Sequence, residues 1–256
     1  MAYRQTFAPI VQKEALAKHI FRFELFCPEL VSCAAPGQFV HILPPGYTLR
    51  RPISICTLDA KRGKLTIVFE AKGPGTDALS NLCVGQNMDL LGPLGHGFTL
   101  YPEAKHVILV GGGIGNPPML SLAQAYGNRA TAICGFRSAN CVILQNAFSK
   151  TGSAYILCTD DGTAGQHGFV TVPLESILNT QTVDCIYACG PRPMLKGVAQ
   201  LAMQNHIPCE ISMEERMACG IGACLGCAIP LQEDGKQYMG HVCKDGPVFA
   251  AEEVIW

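Results

Sequence analysis

Cys219, Cys224 and Cys227 are spaced C-x4-C-x2-C, and Cys243 follows after fifteen intervening residues. Four thiolates in that rhythm form the plant-type pattern for a [2Fe–2S] cluster, a carrier of one electron. Between the first three ligands stand only Gly220, Ile221, Gly222, Ala223, Leu225 and Gly226. Small residues let a backbone wrap closely and turn its N–H groups toward sulfur. A structural zinc site is the competing reading, although such sites usually pair their ligands as short C-x2-C clips on separate hairpins. Disulfides are the third reading. The 14 cysteines, behind an N-terminus (Met1 to Phe7) that lacks the apolar region of a signal peptide, point instead to a reducing compartment and a cytoplasmic protein.

Other residues could do chemistry with a nucleotide. Arg51-Pro52-Ile53-Ser54 offers a guanidinium fork that can hold a pyrophosphate and a hydroxyl that can bond a flavin ring nitrogen. Gly73-Pro74-Gly75-Thr76 follows, and its glycines allow backbone N–H groups to face a phosphate; alone it also reads as an ordinary loop. Gly111-Gly112-Gly113-Ile114-Gly115 stands between an apolar run and a helical stretch, the context in which a glycine turn binds phosphate. It departs from the Rossmann fingerprint: Asn116 occupies the third glycine position, and Gly135-Phe136-Arg137-Ser138 stands where an acidic residue is expected. A tight turn without a ligand is the alternative. Cys189-Gly190-Pro191 closes another apolar run, where Cys189 could touch a nicotinamide or serve as a small buried side chain. The histidines show no ligand spacing, and His96, His167 and His241 read as structural.

These groups need elements to position them. Up to about residue 101 the pattern is β: Phe21, Phe23 and Leu25 alternate with polar residues, Gln38 to Leu43 follows a Pro-Gly turn, and Leu65, Ile67 and Phe69 alternate again. Met88 to Leu91 is expected to stop at Gly92-Pro93. Short strands at this spacing predict a small antiparallel barrel over 1–101. From 102 to 212, apolar runs at Val107–Val110, Ala130–Cys134, Tyr155–Cys158 and Cys185–Cys189 alternate with helical stretches. That predicts an α/β domain on a parallel sheet. Residues 213–256 form the cysteine module. A net charge of −1 without a basic run gives nothing that favours a nucleic-acid surface, and no apolar stretch is long enough to span a bilayer.

In order and kind, these motifs resemble the ferredoxin-reductase superfamily, in which a flavin barrel precedes a pyridine-nucleotide domain. Ile53 stands where that family commonly has an aromatic residue. Met213 to Cys224 and the ending Asp245-Gly246-Pro247-Val248-Phe249…Trp256 are similar to the electron-transfer subunits of dihydroorotate dehydrogenase B. The likeness spans essentially the whole chain. It implies FAD held by Arg51, Pro52, Ile53, Ser54, the strand Val68-Phe69-Glu70, Gly75 and Thr76, and iron held by Cys219, Cys224, Cys227 and Cys243. NAD would lie against Gly111, Gly112, Gly113, Gly115, Cys189, Gly190 and Pro191, with no side chain acting as acid or base. It further implies a partner subunit that carries FMN and oxidises dihydroorotate, in a heterotetramer of two plus two serving pyrimidine synthesis. Related subunits of the sulfide dehydrogenase or NADH-dependent ferredoxin:NADP+ oxidoreductase type are the alternative. An Asp commonly replaces the first cluster cysteine there, whereas this chain has Cys219.

Overall fold

The computed structural model describes residues 3–256; Met1 and Ala2, which open the N-terminal segment read above, lie outside the described residues. The chain divides into two compact units. The first holds the segment up to Gly97 together with Glu214–Ile229 and Gly240–Pro247. The second holds Phe98–Met213, Pro230–Met239 and Val248–Trp256.

The first unit is built on β1 (Arg4–Ala17), β2 (Ile20–Phe26), α1 (Pro28–Val31), β3 (Phe39–Leu43), β4 (Arg51–Asp59), β5 (Lys64–Glu70), α2 (Pro74–Ser80) and β6 (Asn87–Leu94). Its strands close a barrel in the order β1-β2-β5-β4-β3-β6, every pair antiparallel. Alternation decides which side chains fill it: Phe23 and Leu25 of β2, Ile42 of β3, Ile55 of β4, and Leu65 and Ile67 of β5 are fully buried.

One strand end differs from expectation, and one strand carries no alternation that would announce it. β6 does not stop at Gly92-Pro93 but runs on to Leu94, because the β3–β6 register shifts between Phe39 and His41 and Pro93 falls in that irregularity, where a missing N–H costs no ladder bond. β1 has no clean alternation: only Ala8 and Ile10 are buried along its length, and its register with β2 shifts after Ile10.

The second unit contains β7 (Val107–Gly112), α3 (Asn116–Tyr126), β8 (Ala130–Phe136), α4 (Gln145–Ser149), β9 (Ala154–Thr159), β10 (Gln166–His167), α5 (Thr171–Thr180), β11 (Cys185–Cys189), α6 (Arg192–Gln204) and β12 (Cys209–Ser212). The strands form one sheet in the order β10-β9-β8-β7-β11-β12, all parallel. The four residues Val107 to Val110 are completely buried, as an apolar strand covered on both faces must be. On α6, Leu195, Val198 and Ala202 share the buried face that helical spacing predicts. Near the C-terminus, β13 (Ala228–Glu233) and β14 (Lys236–His241) pair as a hairpin, and β15 (Val248–Ala250) adds antiparallel to β12 as the last strand of the sheet.

Candidate functional site

The loop from Cys219 to Cys227 carries no regular secondary structure, and its conformation follows from three residues. Gly220 and Gly222 have φ of +72° and +80°, and Leu225 has φ +60°. Left-handed residues in close succession turn consecutive N–H groups toward one side, which makes an anion-binding concavity. Here those groups meet sulfur. The N–H groups of Ile221, Ala223 and Cys224 donate to Cys219 Sγ at 3.5, 3.3 and 3.3 Å, and that of Gly222 donates to Cys243 Sγ at 3.1 Å. The Cys243 N–H in turn donates to Cys227 Sγ at 3.5 Å.

The Cys224 thiol neighbours that of Cys219, and the Cys227 thiol neighbours that of Cys243, closely enough for each to affect the other's titration. Burial alone would raise the Cys219 thiol, but the N–H groups of Ile221, Cys224 and Ala223 outweigh it and hold it down to about 6. Burial, then the Cys227 thiol, push Cys243 up to about 12. Among the described residues no group of three or more His, Cys, Asp or Glu side chains is arranged to hold a single metal ion. Four thiols in one segment, with backbone N–H groups donating to three of their sulfurs, are a donor set that fits a two-iron, two-sulfide cluster.

The flavin motif lies in the same unit. β4 begins at Arg51, so Arg51 to Ser54 are its first residues; Pro52 stands opposite His41 and Ser54 opposite Phe39 on β3. Arg51 Nη1 donates to the carbonyls of Leu49 and Arg50 at 2.8 and 3.1 Å, and the guanidinium lies 5.8 Å from the ring centre of Tyr47. Gly75 packs on that guanidinium so closely that a Cβ there would come within 2.6 Å of it. The two motifs, separate in sequence, are thus brought together. Gly73 to Thr76 is not a loop but the start of α2, where Thr76 Oγ1 accepts from the N–H groups of Lys72 and Gly73 and donates to the Gly73 carbonyl. Phe69 is buried in the barrel core against Phe23, and Val68 is buried too, so β5 offers a ligand its backbone rather than these side chains. Ile53 packs against the same core. Glu70 pairs with Lys72 at 3.0 Å.

One residue near both places gave no signal by spacing. His41 of β3 is completely buried. Its ring lies beside the backbone of Arg50 and of Cys219, although neither ring nitrogen closes a hydrogen bond of good geometry. Burial and then the charge of Arg50 push the imidazole down to about 4, so it is neutral.

In the second unit the ends of β7 and β11 stand side by side, with Gly111 opposite Cys189. Glycine serves close approach here. A Cβ on Gly112 would meet Met194 Sδ at 2.5 Å and Pro191 at 2.9 Å, and one on Gly115 would meet the Cys189 carbonyl oxygen at 2.2 Å. Gly111 packs on the buried Asn116, whose amide nitrogen donates to the carbonyls of Gly113 and Gly135. Asn116 therefore does not act as a third glycine; it ties the turn to the end of β8. The acidic residues missing after β8 occur one strand later: the N–H groups of Asp160 and Asp161 donate to the carbonyls of Phe136 and Arg137 at 3.0 and 3.3 Å. The Asp161 carboxyl is held below its ordinary range by the Thr163 hydroxyl and N–H.

An antiparallel barrel with a guanidinium–glycine motif, followed by a parallel sheet with a glycine turn, defines the class of ferredoxin-reductase-like proteins. Solved structures agree. The chain matches phthalate dioxygenase reductase at a TM-score of 0.62 and 20% identity, covering 94% of this chain and 77% of that one, a likeness of fold. It matches a structure described as an NADH-dependent reduced ferredoxin-NADP oxidoreductase at a TM-score of 0.86 and 28% identity, covering 98% and 90%. Among curated relatives, the dihydroorotate dehydrogenase B (NAD(+)) electron transfer subunit of Bacillus cereus (strain B4264) is 41% identical over 265 residues, covering 100% of both chains. That of Geobacillus thermodenitrificans (strain NG80-2) is 39% identical over 254 residues, covering 96% of both. Residues 214–255 match the family of the iron-sulfur cluster binding domain of dihydroorotate dehydrogenase B. The chain belongs to the dihydroorotate dehydrogenase B electron-transfer subunits.

Proposed function

We propose that this chain takes electrons from an FMN-bearing, dihydroorotate-oxidising partner subunit and delivers them to NAD+ in pyrimidine synthesis. The carrying observation is the four cysteines of the 219–243 segment, with backbone N–H groups donating to the sulfurs of Cys219, Cys227 and Cys243, in a chain alike over its full length to electron-transfer subunits of that name. When bound, the cluster supplies one-electron transfer, and FAD the link between single electrons and the hydride that NAD accepts.

The chain's own residues bind and orient. Cys219, Cys224, Cys227 and Cys243 hold iron, and the inward N–H groups of Ile221 to Cys224 offset the negative charge gathered on sulfur. Arg51, seated on Gly75, offers a fixed fork to the FAD pyrophosphate; Pro52, Ile53, Ser54, the backbone of Val68 to Glu70, and Thr76 complete that site. Gly111, Gly112, Gly113, Gly115, Cys189, Gly190 and Pro191 form the NAD surface at the carboxyl ends of β7 and β11. In this reading residues 1–101 work on flavin, 102–212 on NAD and 213–256 on the cluster, in a cytoplasmic complex of two chains with two partners.

No helix of the described residues is long and apolar enough to cross a membrane. The likeness to the NADH-dependent ferredoxin-NADP oxidoreductase supports a second reading, as a subunit of that type of complex; Cys219, at a position commonly Asp there, argues against it. A visible spectrum of anaerobically purified protein, before and after NADH, tests the main reading. Flavin and iron–sulfur absorption that NADH bleaches is expected, and absence of both refutes it.

A further inference from the structure

His41 sits in an otherwise apolar strand segment, Phe39-Val40-His41-Ile42-Leu43, and is the only residue of it with a titratable side chain. A core position of this kind would ordinarily carry an aliphatic residue. The imidazole occupies a defined place between two parts of the first unit. On one side, Gly220 packs on the ring so closely that a Cβ there would fall 2.4 Å from Nδ1, and the ring also borders the backbone of Cys219. On the other, it borders the backbone of Arg50, whose guanidinium returns to the His41 carbonyl at 3.1 Å and pairs with Asp89 at 2.9 Å. Arg50 is the residue before Arg51, whose own Nη1 donates to the Arg50 carbonyl. Buried imidazole nitrogens left without a close partner are costly, which sets this residue apart from ordinary core filling.

We propose that His41 is a positioning residue for the iron–sulfur cluster: its ring seats the backbone of Cys219 and Gly220 against the barrel strand that leads into the flavin arginine. The inference rests on the cluster reading above and deepens it. Its role is polar as well as steric. A ring N–H is the polar group that the Cys219 backbone faces. Contacts of this outer kind orient metal ligands and typically change metal retention by about 10–100-fold when lost.

The test uses holoprotein with FAD and cluster bound. His41→Leu fills the space but offers no N–H to Cys219, and His41→Asn returns a donor near the place of Nδ1. Flavin content measured on the same samples reports whether the barrel has folded. His41→Leu is expected to release iron to a chelator about tenfold faster than the parent and to change the EPR spectrum of the reduced cluster, with His41→Asn restoring both toward the parent. Identical iron release and a superimposable EPR spectrum in flavin-replete His41→Leu overturn the proposal. Should His41→Leu fail to hold flavin, His41→Asn decides: parent-like iron retention and spectrum support the proposal, and accelerated iron loss at full flavin content overturns it. A parent protein without any cluster signal would instead refute the reading on which this rests.

Discussion

In the loop from Cys219 to Cys227, Gly220 and Gly222 lie at φ +72° and +80°; in the turn from Gly111 to Gly115 only Gly113 has a positive φ, of +53°. Glycine in the first place supplies dihedral freedom, so that N–H groups can face sulfur. In the second it supplies thinness, so that β7 and the start of α3 can lie against Met194, Pro191 and the Cys189 carbonyl. One composition thus serves two ends: the cluster loop is shaped around what it will hold, while the nucleotide turn is shaped by its own unit. Damage to the first should appear in the cluster alone, and damage to the second in nucleotide use and stability.

The largest effect separates the two regions outright. Cys224→Ser removes the thiol that neighbours Cys219. It should lose or alter the cluster, read by EPR and visible absorption, and abolish dihydroorotate-linked electron flow, while FAD content and NADH-dependent dye reduction remain. Gly115→Ala is next, and acts on the other side of the comparison. Its Cβ would lie 2.2 Å from a backbone oxygen that cannot rotate away, so a cost of about 1–3 kcal/mol is expected. That should appear as a raised KM for NADH and a lower Tm with an unchanged cluster spectrum; a shifted EPR signal would contradict the separation. Gly222→Ala should have the smallest effect. It places a side chain at φ +80° at a cost of about 1–2 kcal/mol, and the nearest atom its Cβ meets is Cδ of the Lys244 side chain, at 2.7 Å. Its N–H to Cys243 Sγ should tilt, shifting the cluster's reduction potential with no change in NADH kinetics.

The two regions were also unequally legible. The cluster segment could be read from spacing alone, because four like side chains at fixed intervals leave few chemistries. The nucleotide turn was recognisable from its place after a buried strand, yet the role of Asn116 was not: only its carbonyl partners at Gly113 and Gly135 show that it braces the turn. In the barrel, alternation revealed β2 and β5, whose inward residues are large and regular. β1 is hidden by having just two buried residues and two register shifts against β2, and the end of β6 by a proline at a ladder irregularity that looks like a stop. Gly73-Pro74-Gly75-Thr76 admits an ordinary loop as its alternative reading because its glycines mask a helix start that Thr76 stabilises through its hydroxyl. His41 has one signal, a polar residue within an apolar strand, and nothing in spacing links it to Cys219, far along the chain.

The most direct measurement is co-purification with an FMN-containing dihydroorotate-oxidising subunit, followed by NAD+ reduction on addition of dihydroorotate. The account predicts NADH formation that requires both chains and disappears with Cys224→Ser. Dihydroorotate-driven NADH formation by the partner alone, or undiminished formation in the cluster-free variant, would contradict it.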